Sequence, residues 1–129
     1  MTTTAAYGLK LESLVEARDS KEIATTLQAI TTQSDAIYLG LNLGYQLIDD
    51  KELLDEVLGA FGIYRAVVVS IKDAVERIQS DSNQAVVKSL KALPSATHTV
   101  WAVLYLVEIL AKSKGGIKRI SQMSAIALK

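Results

Sequence analysis

Apolar residues recur three and four positions apart along most of this chain, which is the spacing of one face of an α-helix. The clearest run lies between Asp49 and Ser80. Its apolar positions are Leu54, Val57, Phe61, Tyr64, Val68, Ile71, Val75 and Ile78. Runs with the same spacing occupy residues 23–48 and 86–111. At ~1.5 Å per residue, runs of this length predict helices on the order of 45 Å long.

Three capping signals mark where these helices begin. A side-chain oxygen can accept the free backbone N–H three positions on, while a Glu or Gln at that position reaches back to the cap. This arrangement occurs at Asp19–Glu22, Asp49–Glu52 and Asp81–Gln84. We therefore predict an all-α fold: an antiparallel bundle of three long helices, the third kinked or broken at Pro94, with short helices at both ends.

The length of 129 residues fits one helical domain. In this interpretation residues 1–8 form a flexible arm, and residues 112–129 form a basic C-terminal segment. The longest uncharged run, residues 92–107, is shorter than the roughly 18 to 20 apolar residues of a spanning helix. The amino end does not resemble a secretion signal. We expect no transmembrane segment and a cytoplasmic location.

Small residues stand on a second face of two of the long helices. Glycine in a helix is about 1 kcal/mol less favourable than alanine, so close approach by a neighbouring helix is the expected compensation. We predict helix contacts at these positions: Gly40, Gly44, Gly59, Gly62, Ala66 and Ser70. Three helices alone leave this second face uncovered, and exposed apolar patches mark partner sites. We therefore expect a homo-oligomer or a stable complex with a larger protein.

The side-chain inventory argues against catalysis. The chain has no cysteine and one histidine, so it cannot build a thiolate site or a two-histidine metal site. We predict no enzymatic activity and no metal or cofactor. An antiparallel bundle brings Ser34, Arg65 and His98 to about the same height. This polar layer either fixes the register of the helices or lines a pocket for a small anionic or quinone-like ligand.

Glu108 is the one acidic residue after Asp81, and it lies in an otherwise apolar helix. An unpaired buried carboxylate is strongly unfavourable. We therefore expect Glu108 either at the bundle surface or hydrogen-bonded to Tyr45 or Gln46.

Charge is distributed unevenly along the sequence. Residues 1–87 carry seven Lys or Arg against thirteen Asp or Glu, whereas residues 88–129 carry seven against one. The basic end supplies candidate contacts for an anionic partner: Lys112, Lys114, Lys118 and Arg119. The explanations that remain open are head-to-tail self-association, simple solvation of the charges, and binding of phosphate or of an acidic protein.

The segments Ser89–Leu93 and Val100–Gly115 resemble a family of small helical proteins that accompany formate dehydrogenases. In that family a Leu-x-x-Leu run and a proline are followed by an apolar helix that ends in glycine. The stretches at Ser13 and Asp50 are similar in character, whereas the family's Asp-Pro-Glu and Gly-Leu-Trp-Gly elements are not present. The resemblance implies a noncatalytic accessory subunit that docks on a redox enzyme.

The sequence thus favours a non-enzymatic interaction or assembly subunit that self-associates and docks on a larger partner. The alternative is a structural protein that coats nucleic acid, such as a helical capsid subunit or the small subunit of an RNA-guided complex. Five basic residues close to the carboxyl end are few for such a role unless many copies line up along one strand.

Overall fold

A computed structural model describes residues 3–129, and these residues form an all-helical fold. The predicted all-α class is confirmed. The described part contains eight helices in this order: α1 Thr3–Glu16, α2 Ser20–Gln28, α3 Gln33–Gln46, α4 Lys51–Ala60, α5 Arg65–Ile78, α6 Asn83–Lys91, α7 Ala96–Ala111 and α8 Gly116–Ala127.

The prediction of three long helices is wrong in one consistent way. Each long helix is divided into two by a turn of four residues, at residues 29–32, 61–64 and 92–95. The break at Pro94, one of the two outcomes expected there, is confirmed. The longest helix, α7, has 16 residues instead of about thirty.

Local chemistry explains the three breaks. The hydroxyl of Thr32 accepts the backbone N–H of Asp35 and starts α3 afresh. Gly62 follows α4 with a φ of +66°, a left-handed conformation that only glycine adopts without strain. Pro94 has no N–H for helix continuation, and Ser95 then caps α7.

The first helix replaces the expected arm. Residues from Thr3 onward are helical, while Met1 and Thr2 lie outside the described residues. Thr4 Oγ1 donates to Asp35 Oδ1 at 2.8 Å, and Leu11 is 2% exposed. The helix α1 is therefore packed on α2 and α3 instead of projecting from the fold.

Helix α7 is the centre of the molecule. It packs against α3 most extensively and also touches α2, α4, α5, α6 and α8. Its sequence is apolar nearly all round, as is typical of a helix covered on every side. The Nε1–H of Trp101 donates to the carbonyl oxygen of Leu58 at 3.1 Å, and Thr99 Oγ1 donates to that of Leu90 at 3.2 Å. The core is one continuous apolar cluster to which every described helix contributes.

Candidate functional site

Gly40 and Gly44 make the close helix contact that the sequence predicts, but the contact is internal. A Cβ at Gly40 would lie 2.9 Å from Val103 Cγ1, and one at Gly44 would lie 2.7 Å from Val107 Cγ2. Real Cβ atoms do not approach side-chain carbons so closely. These glycines therefore seat α3 on α7 of the same chain, and this face is not available to a second molecule.

The other predicted small residues do not share one helix face. Gly59 lies in α4, Gly62 lies in the following turn, and Ala66 and Ser70 lie on α5. All four are exposed, and nothing lies within 4 Å of a Cβ built at Gly59 or at Gly62. The continuous stripe expected on one long helix is wrong, because the chain changes direction at Gly62.

The predicted polar layer is not assembled. The described residues show no hydrogen bond between any two of Ser34, Arg65 and His98. Arg65 is exposed at the start of α5, and Ser34 is half-buried in the first turn of α3.

His98 is hydrogen-bonded to Ser95, which the sequence analysis did not select. Ser95 Oγ accepts the backbone N–H of His98 at 3.1 Å and lies 2.5 Å from His98 Nδ1. The Ser95 hydroxyl therefore contacts both the backbone and the ring of His98 and fixes the orientation of the ring. The signal was present, because a serine three residues before the histidine and just after Pro94 is a capping position.

An apolar groove joins His98 to the exposed face of α5. Its volume is about 350 Å³, and Ala66, Ser70, Ile71 and Pro94 are among the residues that line it. His98 is the only titratable residue of that lining. A second titratable side chain, the usual partner of a histidine in acid–base chemistry, does not line this groove.

Glu108 is paired, though with neither residue expected from the sequence. Its Oε1 lies 3.1 Å from Lys51 Nζ, and the same ammonium lies 3.1 Å from Asp55 Oδ2. Hydrogen bonds to Asp55 and then to Glu108 raise the pKa of Lys51. The expectation of Tyr45 or Gln46 as the partner of Glu108 was wrong, because α4 rather than the end of α3 supplies the nearest polar group.

A second polar cluster lies on α7 beside α5. Tyr105 Oη donates to Glu76 Oε1 at 2.9 Å, and Lys72 Nζ lies 5.3 Å from the centre of the Tyr105 ring. Burial first, and then the hydrogen bond to Glu76, raise the pKa of Tyr105. The Trp101 ring stacks on Tyr105 with centroids 6.0 Å apart. This cluster fastens α5 to α7 and presents no activated group.

The basic C-terminal segment divides into free and bound residues. Lys112, Lys114 and Lys118 are exposed. Arg119 is half-buried, and its guanidinium donates to two carbonyl oxygens in the connection between α5 and α6 and to the side chain of Asn83, the first residue of α6. Arg119 is therefore a structural residue, and its prediction as a contact for an anionic partner is not supported by this geometry.

The two halves of the chain carry opposite net charge. Residues 1–64 carry four Lys or Arg and ten Asp or Glu, and residues 65–129 carry ten and four, so the halves have formal charges of −6 and +6. Helices α1, α2 and α4 pack together, and α5, α6 and α8 form a second connected group. The central pair α3 and α7 joins the two groups. The chain is neutral overall, but its two halves carry opposite net charge.

The part of the chain that the structure describes contains no group of three or more side chains that could hold a metal ion. None of its helices is long and apolar enough to cross a membrane. Comparison with protein-family models, with curated proteins and with solved structures gives no match for this chain. Function is therefore inferred from the surfaces of the chain itself.

Proposed function

We propose that this protein is a non-enzymatic helical assembly subunit that self-associates and docks on a larger protein partner. The observation that carries the proposal is the separation of charge along the chain, with −6 in residues 1–64 and +6 in residues 65–129. Complementary potentials steer encounters between proteins and suppress wrong partners. The separation gives the isolated fold little, because exposed ion pairs contribute only about 0–1 kcal/mol to stability.

The polar contacts of α7 support a binding role rather than a chemical one. The polar groups on α7 are engaged in structural contacts: Glu108 with Lys51, and Tyr105 with Glu76. The exposed charges of α4 and of the turn before α8 are left for an outside surface. Following the resemblance at Ser89–Leu93, we propose a redox enzyme as the larger partner and the cytoplasm as the compartment.

Affinity capture from the native host at low salt tests the proposal. The wild-type protein should capture one host protein in stoichiometric amount, and a variant with Lys114→Glu and Lys118→Glu should not capture it. After separate purification, that host protein should bind the wild type again. High salt should release it, because screening weakens contacts between exposed charges. Equal retention of the host protein by the wild type and the variant, or no retention above that of an empty support, would count against docking through Lys114 and Lys118.

A second candidate function is the coating of nucleic acid. The exposed lysines in residues 65–129 favour it. Lys88 on α6 and Lys118 on α8 are both exposed, and these two helices pack against each other. Binding to a fluorescent single-stranded RNA should then weaken steeply with salt, with a logarithmic slope of about −0.7 per neutralised phosphate. Binding that is absent at low salt would rule this function out.

A further inference from the structure

The start of α5 presents an exposed apolar surface. Residues 65–70 form the first half of this helix, and none of them is buried. Val69 is 51% exposed, and Tyr64, the N-cap residue, is 84% exposed and gives the helix no side-chain hydrogen bond. A surface helix of a monomeric protein normally buries an apolar stripe along its length. Large apolar side chains that stay exposed together mark an interaction surface.

An apolar groove opens beside these exposed side chains. Its volume is about 350 Å³, and small side chains of α5, at Ala66, Ser70 and Ala74, line one side of it. Pro94 and His98, from the segment where α7 begins, line the other side. One surface of the molecule therefore carries both an exposed aromatic ring and a hollow with mostly apolar walls.

Two opposite charges lie on the outward stripe of α5. Arg65, Val69 and Asp73 are four residues apart, so they share one helix face, and all three are exposed. Lys72 Nζ lies 5.3 Å from the centre of the Tyr105 ring, so the contact of α5 with α7 uses the neighbouring flank. Arg65 and Asp73 are about 12 Å apart along the axis and do not pair with each other. The ion pairs among the described residues involve other side chains.

We propose that the start of α5 binds the same surface of a second copy of this chain, with the two α5 helices antiparallel about a two-fold axis at Val69. Counting residues outward from Val69 brings Arg65 of each copy level with Asp73 of the other. Charges that one helix holds apart thereby form two reciprocal pairs. The same operation brings Tyr64 level with Ala74 of the other copy, at the groove. This inference rests on the self-association in the proposed function and names its surface.

The surface selects a second copy because it is complementary to itself. In a two-fold contact, each feature must meet its complement on an identical surface. Here the cation meets the anion, the aromatic ring meets the hollow, and Val69 meets its own equivalent. Ala66 and Ser70 are small, so the two backbones can approach closely. One helix per copy lies at or below the roughly 1,200 Å² of the smallest stable interfaces, so the dimer is weak and its population rises with protein concentration.

Sedimentation velocity on the full chain tests the contact. The mean mass of the wild type should rise with concentration towards that of a dimer and no further, because a two-fold contact closes on itself. Arg65→Asp and Asp73→Arg should each weaken the dimer about tenfold, because two exposed pairs, each worth up to about fivefold, become repulsive. An equimolar mixture of these two variants should recover the wild-type mass, because opposite charges again face each other across the axis.

The aromatic contact has a matched control. Tyr64→Ala should weaken the dimer about fivefold or more, as truncation of a central aromatic side chain does. Tyr45→Ala removes a ring that is 51% exposed on α3, and it should leave dimerisation unchanged. Circular dichroism should show unchanged helicity for each variant, because every substituted side chain is exposed.

Disulfide formation tests the position of the axis. The chain contains no cysteine, so a single introduced thiol can pair only with its equivalent in another copy. Val69→Cys should give a covalent dimer under mild oxidation, because a disulfide forms where the Cα atoms come within about 7 Å. Ser121→Cys, an exposed position on α8, should stay monomeric under the same conditions.

The outcomes decide the inference separately from the proposed function. A wild-type protein that stays monomeric at every concentration overturns the self-contact. A dimer that Asp73→Arg and Tyr64→Ala leave intact, or a mixture that does not recover the wild-type mass, overturns its location. In each case a host protein captured through Lys114 and Lys118 still supports docking on a larger partner. Failure of that capture, with the dimer intact, counts against docking and leaves this inference standing.

Discussion

Replacing Arg119 with methionine should remove the hydrogen bonds that hold α8 against residues 79–83. Arg119 Nη1 donates to the carbonyl oxygen of Gln79 at 2.5 Å, Nη2 to that of Asp81 at 2.6 Å, and Nε to Asn83 Oδ1 at 2.9 Å. Gln79 is the C-cap of α5, so the guanidinium also lies at the negative end of that helix. Methionine keeps most of the apolar stem and removes every one of these donors.

The magnitude follows from how much water can replace each bond. A hydrogen bond from a charged donor contributes about 1.5–3 kcal/mol when it is shielded. The bonds to Gln79 and Asn83 are partly buried, whereas the bond to Asp81 is exposed. Two partly shielded bonds at the lower end of that range give a loss of about 3 kcal/mol in the free energy of unfolding. For a domain of this size, the melting temperature should fall by about 10 °C.

Urea denaturation followed by circular dichroism measures this loss. Lys118→Met is the matched control, because it removes a neighbouring exposed charge and should change stability by less than about 0.5 kcal/mol. Arg119→Lys keeps the charge but cannot reach three acceptors at once, so it should recover less than half of the loss. Equal stability of Arg119→Met and Lys118→Met would refute the assignment of a structural role.

Two further substitutions test the packing and the electrostatics. Gly44→Ala should lower the free energy of unfolding by about 2 kcal/mol, because its Cβ would meet Val107 Cγ2 at 2.7 Å. The control Gly59→Ala places its Cβ in open space, so it should leave the free energy of unfolding unchanged or raise it. Equal effects of the two substitutions in urea denaturation would contradict the internal contact. The hydrogen bond from Arg18 holds the pKa of Asp50 below its ordinary 3.8, so the stability from this pair is present above about pH 4 and is lost as the pH falls through the lowered pKa. Arg18→Gln should therefore shift the urea midpoint at about pH 6, and the shift should shrink as the pH falls through the lowered pKa of Asp50; a shift that stayed constant in acid would show another cause.

Helix starts are the part of the fold that the sequence specifies most closely. Asp19 caps α2 through the N–H of Glu22, as the capping box predicts. The next two caps are Asp50 and Ser82, each one residue after the predicted cap. In both places two neighbouring side chains can accept the helix N–H groups, and a local pattern does not distinguish them.

The sequence does not reveal the three breaks, because the periodic spacing of buried apolar residues continues through the turns. Ile30 and Phe61 lie in turns, yet they are only 4% and 6% exposed. Both ends of each turn face the same core, so the apolar period continues where the helix does not. Among the described residues no hydrogen bond joins Ser34, Arg65 and His98, so the predicted polar layer is not formed by direct contacts.

The structural role of Arg119 could not be predicted from residue types. Two of its three acceptors are backbone carbonyl oxygens, at Gln79 and Asp81, and a carbonyl leaves no mark in a sequence. Charge separation, in contrast, could be predicted, because it needs only the order of the residues and helices that pack near their sequence neighbours. Which lysines are free and which cation is bound depends on side-chain geometry.

The central position of α7 sets an order of events during synthesis. Helices α2 to α6 leave the ribosome before residues 96–111 do, and until then the surface on which they pack does not exist. The face of α3 at Gly40 and Gly44, on which Val103 and Val107 of α7 lie in the folded protein, stays uncovered in that interval. The central layer of the core therefore closes only when the last third of the polypeptide emerges.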